Sequence, residues 1–535
     1  MKSTITSIAI AALLSGFPAA AQPQLTMSGE SSRRDVSSQR QFSLENNVWN
    51  ATNNPTTISF YELGKASGSA GFSADYLAGA YRRAMDPSED YSLGFSTDSY
   101  NSLDNIDLYG SFAFTQETLK GKKYSENYDP YNGNPYLAGS TLEGDYTKQL
   151  FEFNVAASSK VLSNRMRFGV SIDYNVGDMS RYNDPRSRVQ LADYSITPGF
   201  IIDLTPKDRI GLSGTYRYRK EKMLKPVAKS ENLDRYMYCL QKGLSEYSET
   251  GLLFFSRRYV GNYGGGELQY SHMTPNLSLV VHGGATYRYD DVIGERKENP
   301  GNYSSIDYHG GVSALWGNGR LRHKAVVGLS YISGDAEECL QELTTETNEQ
   351  GMPDSYWRTV MKNIRYRNSL STMSALWQIS GLRGGKYSWD VGVAIDASVY
   401  SSKYILPKSD FHTAYLEPSL IGGCLLYSKG NSEINISGRL GWHQSLTNKL
   451  STNPELENEK LTTIRDNVTI PDYQTFSRSG LMTGLNLNYI FASLKSSRLY
   501  CSVSTNQCYA LSTPKETPST TPTRIWSSIS IGIIY

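Results

Sequence analysis

The chain has 535 residues, with 53 Lys and Arg against 52 Asp and Glu, a formal net charge of +1. So even a balance excludes a basic nucleic-acid binder and an acidic tail protein, and no nucleic-acid partner is expected. Charged residues make up 20% and aromatics 12%, with 39 Tyr and 46 Gly against 16 Phe, a mix that argues against a helical bundle and for β-structure with tyrosine at a wet boundary.

The first element is an export signal. Met1-Lys2 gives a positive start, Ile5 to Phe17 is apolar, and Ala19-Ala20-Ala21 precedes Gln22. The spacing predicts a signal peptide over 1–21, cleaved after about Ala21. The apolar run is too short to be a transmembrane helix. Residues 22–56 are polar, with Phe42, Leu44 and Trp49 as their few anchors, and read as a periplasmic or lumenal segment. No later apolar run is long enough for a helical span, but a transmembrane strand needs only about ten alternating residues.

Alternation dominates the rest of the chain. In Met166–Val176, Met166, Phe168, Val170, Ile172, Tyr174 and Val176 share one face, and Arg167, Gly169, Ser171, Asp173 and Asn175 share the other. Period two places these sets on opposite faces of a strand, whereas a helix would scatter them. The same pattern recurs from Ile106, Ile210, Trp389, Ile434, Leu485 and Ile525. Strands are predicted over about 57–80, 90–101, 104–117, 148–160, 164–177, 188–204, 207–222, 261–273, 277–290, 304–316, 320–334, 363–380, 386–402, 411–428, 432–447, 474–492, 497–510 and 522–535. That makes eighteen, an even count that leaves both chain ends on the periplasmic side. Residues 57–80 lack clean alternation, so sixteen or fourteen stay open.

The connectors select the architecture. Short turns such as Thr274-Pro275-Asn276, Gly317-Asn318-Gly319 and Arg383-Gly384-Gly385 alternate with long stretches near 118–147, 223–250, 335–361 and 448–472. Short turns on one side and long loops on the other is the layout of a transmembrane antiparallel β-barrel in the outer membrane of a Gram-negative bacterium, here over 57–535. A soluble sandwich has no reason to segregate its loops. The last strand alternates and ends on the aromatic Tyr535, like the terminal signal of outer-membrane barrels.

Short motifs carry two resemblances. Asn54-Pro55 resembles the Asn-Pro element where the chain enters the barrel in the long-chain fatty-acid transporter type. Gly110-Ser111, Asn134-Pro135-Tyr136, Asn183-Asp184-Pro185-Arg186 and Thr197-Pro198-Gly199 together resemble a Bacteroidetes outer-membrane barrel family of unknown function. That resemblance implies location and fold, and service beside a nutrient-uptake system such as a TonB-dependent transporter or a surface lipoprotein.

No chemistry-bearing motif is present: neither G-x-S-x-G nor H-E-x-x-H occurs. Of six His, His282 with Gly283-Gly284 reads as strand spacing and His443 as an interfacial polar residue; Asp290-Asp291 face water, a Ca²⁺ contact being the alternative. No C-x-x-C links the five cysteines, so no metal, cofactor or catalytic residue is assigned. Cys239 and Cys339 fall in different long loops on one side and offer a disulfide, with acidic 335–354 expected to fold towards basic 219–235 over the mouth. Arg167, Asp173, Arg217, Arg219, Asp390, Asp396, Glu433 and Arg439 are expected to face the lumen. The expected function is a porin-like channel or passive transporter, not an enzyme. A non-enzymatic accessory subunit of an uptake complex, holding a partner with its long loops, is the alternative.

Overall fold

The computed structural model describes residues 38–535 except 163–164, 230–236, 245, 252–255, 348–352, 407, 431, 453–463, 492–496 and 511–521. The expected signal peptide and residues 22–37 lie outside the described residues. Eighteen strands form one closed antiparallel sheet. They are β1 (Ala66–Ala78), β2 (Glu89–Ser102) and β3 (Ile106–Lys122), then, past the short β4 (Ala138–Ser140), β5 (Gly144–Ser159), β6 (Met166–Arg181), β7 (Arg186–Asp203) and β8 (Asp208–Val227). Beyond β9 (Met237–Gly243) and β10 (Glu246–Gly251) come β11 (Arg257–Thr274), β12 (Leu277–Gly294), β13 (Gly301–Gly317), β14 (Leu321–Thr347), β15 (Pro353–Arg383) and β16 (Lys386–Tyr404). The last five are β17 (Ser409–Lys429), β18 (Ser432–Ser451), β19 (Gly480–Ile490), β20 (Arg498–Ala510) and β21 (Thr523–Ile534). Strands β4, β9 and β10 pair separately, as a three-stranded sheet.

Closure is made by β1 against β21, with Ala74 opposite Ile529. Gly68 and Tyr535 exchange backbone hydrogen bonds of 2.8 and 3.0 Å at the end of that seam. The expected count of eighteen therefore stands. Its weakest member begins later than expected, because Pro55–Phe60 is a 3-10 turn and β1 starts at Ala66. Likewise the front of the stretch read as a strand over 474–492 is helical: Ile470–Phe476 is a short helix with Pro at its start, and β19 begins at Gly480.

Period two sets the facing of every side chain. On β6, Ile172 is 50% exposed and Ser171 only 3%. Phe72, Leu268, Leu329, Leu420 and Ile531 point outward in the same way, while Asp173, Ser195, Gln269, Thr286 and Asn486 are buried inside. A soluble sandwich would bury the apolar face, and this chain presents it. The inverted arrangement of an apolar exterior and a polar lumen is that of an outer-membrane barrel. Near the short turns the outer surface carries Trp316, Trp377 and Trp389. His323 stacks on Trp316 at 5.3 Å and lies 6.4 Å from Trp377, an interfacial aromatic girdle.

The long connectors are more ordered than loops. Residues 335–361 are largely strand: β13 stops at the Gly301–Glu338 pair and β16 at the Tyr366–Tyr404 pair, so β14 and β15 continue above the wall as a two-stranded ribbon. The acidic run finds its cations on that partner strand. Asp335 meets Arg367 at 3.0 Å, Glu338 meets Arg365 at 3.2 Å, and Glu337 and Glu342 lie 3.8 and 3.7 Å from Lys362 and Arg358. It is not drawn to 219–235 as expected. Arg219 instead pairs along the wall with Asp193 (3.8 Å) and Glu221 (3.7 Å), and residues 230–235 lie outside the described ones.

Charge on the outer belt should be costly in proportion to depth. Ile172→Arg should lower barrel stability by about 2–4 kcal/mol, and Leu321→Arg, at the short-turn edge, by roughly 0–1 kcal/mol. Urea titration followed by heat-modifiable gel mobility measures both. Equal losses would contradict the facing.

Candidate functional site: chain segments inside the lumen

At the short-turn end the chain's own N-terminal segment lies inside the barrel, against β3, β5, β6, β7, β12, β13 and β16. Helix α1 (Ser38–Glu45) leads into 3-10 turns over Val48–Ala51 and Pro55–Phe60. Trp49 stacks on Phe60 with ring centroids 5.2 Å apart and packs with Ile201, Val280 and Leu315. Outer contacts steady the entry: Arg40 pairs with Asp98 at 2.6 Å, and Lys324 Nζ donates to the Glu45 carbonyl at 2.6 Å.

Asn54 is the centre of this plug. Its Oδ1 accepts from Thr56 N (3.0 Å) and caps the second turn. Its Nδ2 donates to the Phe200 carbonyl (3.1 Å) and to Gln269 Oε1 (3.0 Å). The wall yields space for it. A Cβ on Gly199 would lie 2.3 Å from Asn54 Oδ1, and one on Gly169 would lie 2.8 Å from Thr56 N. Glycine on adjacent strands thus forms a cleft into which plug backbone settles.

Glu267 holds the other side. Its Oε1 accepts from Asn53 N (3.0 Å) and from Gln269 Nε2 (2.7 Å). Its Oε2 lies 3.1 Å from His282 Nδ1 and 3.4 Å from His309 Nε2. A buried carboxylate serving this many donors is fully engaged, and it attaches an uncharged plug to the wall by a charge-assisted bond.

The opposite end is covered by the connector after β3. Tyr128, Tyr136 and Ala138 pack inside the wall against Met179, Val189, Met223, Val292 and Tyr303. Polar groups fix the register. Glu221 Oε1 accepts from Tyr128 N (2.9 Å) and Asn127 Nδ2 (3.1 Å), Arg288 Nη1 donates to the Asn132 carbonyl (2.7 Å), and Asn368 Nδ2 to the Gly133 carbonyl (2.9 Å). Asn134 Nδ2 donates to Asp290 Oδ2 at 3.1 Å, and Asp290 also pairs with Arg288. Asp290 therefore faces the lid and does not simply meet water. Asp291 faces Asn299.

Above this layer, β4 joins β9 and β10. Cys239 and Cys339 are not joined. Lys242 of β9 reaches Glu338 of β14 at 3.0 Å, and Cys239 lies three residues earlier, on the opposite face of that strand. There it packs with Tyr124, Tyr131 and Tyr247. The expected bridge fails on facing, although the two stretches do meet.

A second helix, α2 (Ile470–Phe476), seals the lid from the side. Asp472 is buried; its Oδ1 accepts from Ala84 N at 2.6 Å and its Oδ2 lies 3.5 Å from Tyr131 OH. Arg83 sits 3.6 Å over the Tyr131 ring and pairs with Asp86 at 3.0 Å. Burial pushes the Asp472 carboxyl up to about 7, against the opposing pull of Ala84 N–H and Arg83 and with Asp86 adding to the rise.

The lumen-facing charges pair with groups one or two strands away instead of across the barrel. Arg167 pairs with Asp203 (3.0 Å), Arg217 with Asp193 (2.6 Å) and Glu433 with Arg498 (3.2 Å). Asp173 accepts from Asn154 and Ser195, and Asp390 from Tyr387. Sequence reasoning missed Glu267 and joined His282 to nothing. The signal lay in register: the turn at Thr274-Pro275-Asn276 places Gln269 opposite His282, with Glu267 one position further along the same lumenal face.

A closed eighteen-stranded sheet with an apolar belt, a polar lumen and chain segments packed inside it near each end defines an outer-membrane β-barrel. The chain belongs to the family of unknown function DUF6850, which it matches over residues 55–535. No curated protein is matched by the sequence. Among solved structures, the siderophore receptor PiuA from Acinetobacter baumannii is 8% identical over 87% of this chain and 82% of that one, with a TM-score of 0.37. The copper transporter OprC is 10% identical over 88% and 83%, TM-score 0.38. A FadL homologue of Pseudomonas aeruginosa is 10% identical over 90% and 92%, TM-score 0.30. Likenesses this distant add nothing to the barrel that the strand pairing itself defines.

Each seal can be loosened separately. Gly199→Ala should weaken plug docking by about 1–3 kcal/mol through overpacking. Chymotrypsin should then cut near Trp49 faster in the variant while heat-modifiable mobility is unchanged. The outer seal should respond to pH. A carboxyl raised in the folded state binds an extra proton when α2 is docked, so docking is strongest below about pH 4 and weakens as pH rises through 7. Proteolysis near α2 should be slower at pH 5 than at pH 8, and Asp472→Asn should remove the difference.

Proposed function

We propose that this barrel is a gated passive transporter of the outer membrane of a Gram-negative bacterium, in which the N-terminal plug is the inner gate and the tyrosine-rich lid the outer one. The observation that carries the reading is how the plug is held. It is joined to the wall by hydrogen bonds through Asn53, Asn54 and Thr56, by one small apolar cluster around Trp49, and at its entry by the Arg40–Asp98 pair and the bond from Lys324 to the Glu45 carbonyl. It adds no strand to the sheet, so it can leave without breaking a single wall hydrogen bond. Water can replace the polar contacts of a departing plug, and the lumen behind it is lined with groups that a hydrated solute tolerates. No catalytic step is part of this reading.

A second reading has its own support. The β14–β15 ribbon projects beyond its neighbours and exposes Leu340, Leu343, Val360 and Met361. Such a projection suits an accessory subunit whose partner is a TonB-dependent transporter or a surface lipoprotein.

Planar-bilayer recording separates the two. The full chain should conduct little, and the double variant Gly199→Ala, Glu267→Ala should open frequent, solute-permeable channels. Silence of both, together with co-purification of a stoichiometric membrane partner that is lost when Leu340 and Met361 are replaced by Ser, would favour the accessory reading.

A further inference from the structure

The basic stretch that begins at Arg219 divides by parity along β8. Arg219 and Glu221 face the lumen and lie 3.7 Å apart. Lys220 and Lys222 share the outer face with Leu212 and Tyr216, Lys220 half-buried and Lys222 exposed. Register brings further cations to them. Lys222 stands directly opposite Arg258 of β11, and Lys220 lies one step down the same face, opposite Val260. Arg188 of β7, opposite Leu224, is next to them and is drawn to Asp178 at 2.7 Å.

Lys220, Lys222 and Arg258 form no ion pair among the described residues. The flanking acids on this face, Asp178 in the row of Lys222 and Asp291 in the row of Lys220, are each two strands away, roughly 10 Å. Like charges placed directly opposite destabilise a strand pair. Elsewhere on the outer face such a meeting is balanced. Arg367 stands opposite Lys403, but Asp335 and Asp410 flank them in the same row, and Asp335 meets Arg367 at 3.0 Å. Lys120 stands opposite Glu89, 3.7 Å away. The Lys222–Arg258 row has no such compensation.

Depth identifies what supplies it. One row of the wall runs through Tyr174, Tyr194, Tyr218, Asn262 and Tyr289, and the Tyr194 and Tyr218 rings lie 5.2 Å apart. This is an aromatic girdle at the long-connector end, and the cations stand just beyond it. From Ile210 to Lys220 the strand climbs about 33 Å, roughly 25 Å along the membrane normal at a tilt of about 40°, which is the height of the apolar band. The cluster therefore meets headgroups of the outer leaflet.

We infer that Lys220, Lys222 and Arg258, with Arg188 beside them, form a site for the phosphate of an outer-leaflet glycolipid whose acyl chains lie on the wall below. The inference is independent of the transport reading. A phosphomonoester carries close to two negative charges and three acceptor oxygens. Arg258 can hold it as a fork and the lysines as point charges. The diester of an ordinary phospholipid carries one charge and leaves the cations under-neutralised. Directly beneath, Ile196, Leu212, Tyr216 and Leu268 offer exposed apolar surface to the chains.

Native mass spectrometry of the detergent-solubilised full chain tests this, with lipid A, dephosphorylated lipid A, phosphatidylglycerol and inorganic phosphate as probes. One retained lipid A per barrel is expected. Its occupancy should fall about tenfold or more in the double variant Lys222→Ala, Arg258→Ala and stay unchanged in Lys403→Ala, whose cation is matched in its own row. Heat-modifiable mobility confirms that each variant is a folded barrel. A second measurement is independent of the adduct. In lipid-free detergent Lys222→Ala should melt at a higher temperature than the native chain, because one of two opposed charges is gone, and added lipid A should raise the native melting temperature more than that of the double variant. Equal retention of lipid A by the native chain and the double variant, equal retention of its dephosphorylated form or of phosphatidylglycerol, binding of inorganic phosphate without lipid A, or no adduct at all would each overturn the assignment.

Discussion

Everything in this molecule depends on the seam between β1 and β21. In hydrocarbon no water is available to an unpaired strand edge, and each orphaned peptide group there costs several kcal/mol. A sheet can cross the bilayer only if its last strand finds its first. Here that closure runs from Ala78 opposite Ile525 to Ser69 opposite Ile534, and ends in the mutual bonds of Gly68 and Tyr535. Once the ring is closed, the pleat sends one face of every strand to lipid and the other to the lumen. The girdle, the polar interior and the two seals are arranged on that division.

The lumen of a ring this wide cannot be filled by its own wall side chains, so the chain supplies separate fillings. They differ in character. The inner one is short, uncharged from Asn46 to Tyr61, and settles against backbone exposed by glycine. The outer one is rich in tyrosine and sits on a belt of Arg, Glu and Asp through its own backbone amides. The first is selected by shape and the second by charge and hydrogen bonding. Two seals of different chemistry can respond to different signals.

The strand count was legible because period two in a lipid-facing strand does not depend on tertiary context: Ile172 must be apolar whatever lies inside. That signal vanishes where strands leave the bilayer. The upper halves of β14 and β15 stand in water on both faces, so Glu337, Glu338 and Glu342 resembled a charged loop, although they are cross-strand partners of Lys362, Arg365 and Arg358. The sealing elements were harder to see for another reason. Tyr128, Tyr136 and Asn54 act on strands remote in sequence, and neither Glu267 nor His309 gains meaning until the barrel sets them side by side. Asn54-Pro55 was the exception, because a resemblance pointed to chain entry at that position.

The glycine-lined cleft also constrains the order of events as the protein matures. Asn54 and its neighbours emerge well before the groups that receive them, from Ser158 to Gln269. Until β7, β8 and β11 stand in register there is nothing for the segment to enter. Only five residues separate Phe60 from the start of β1, the strand that must find β21 to finish the ring. A segment seated too early would hold β1 away from its closing partner, and one seated after closure is drawn in by that same short tether. Seating of the plug therefore marks a barrel in which the strands from β5 to β13 already stand side by side.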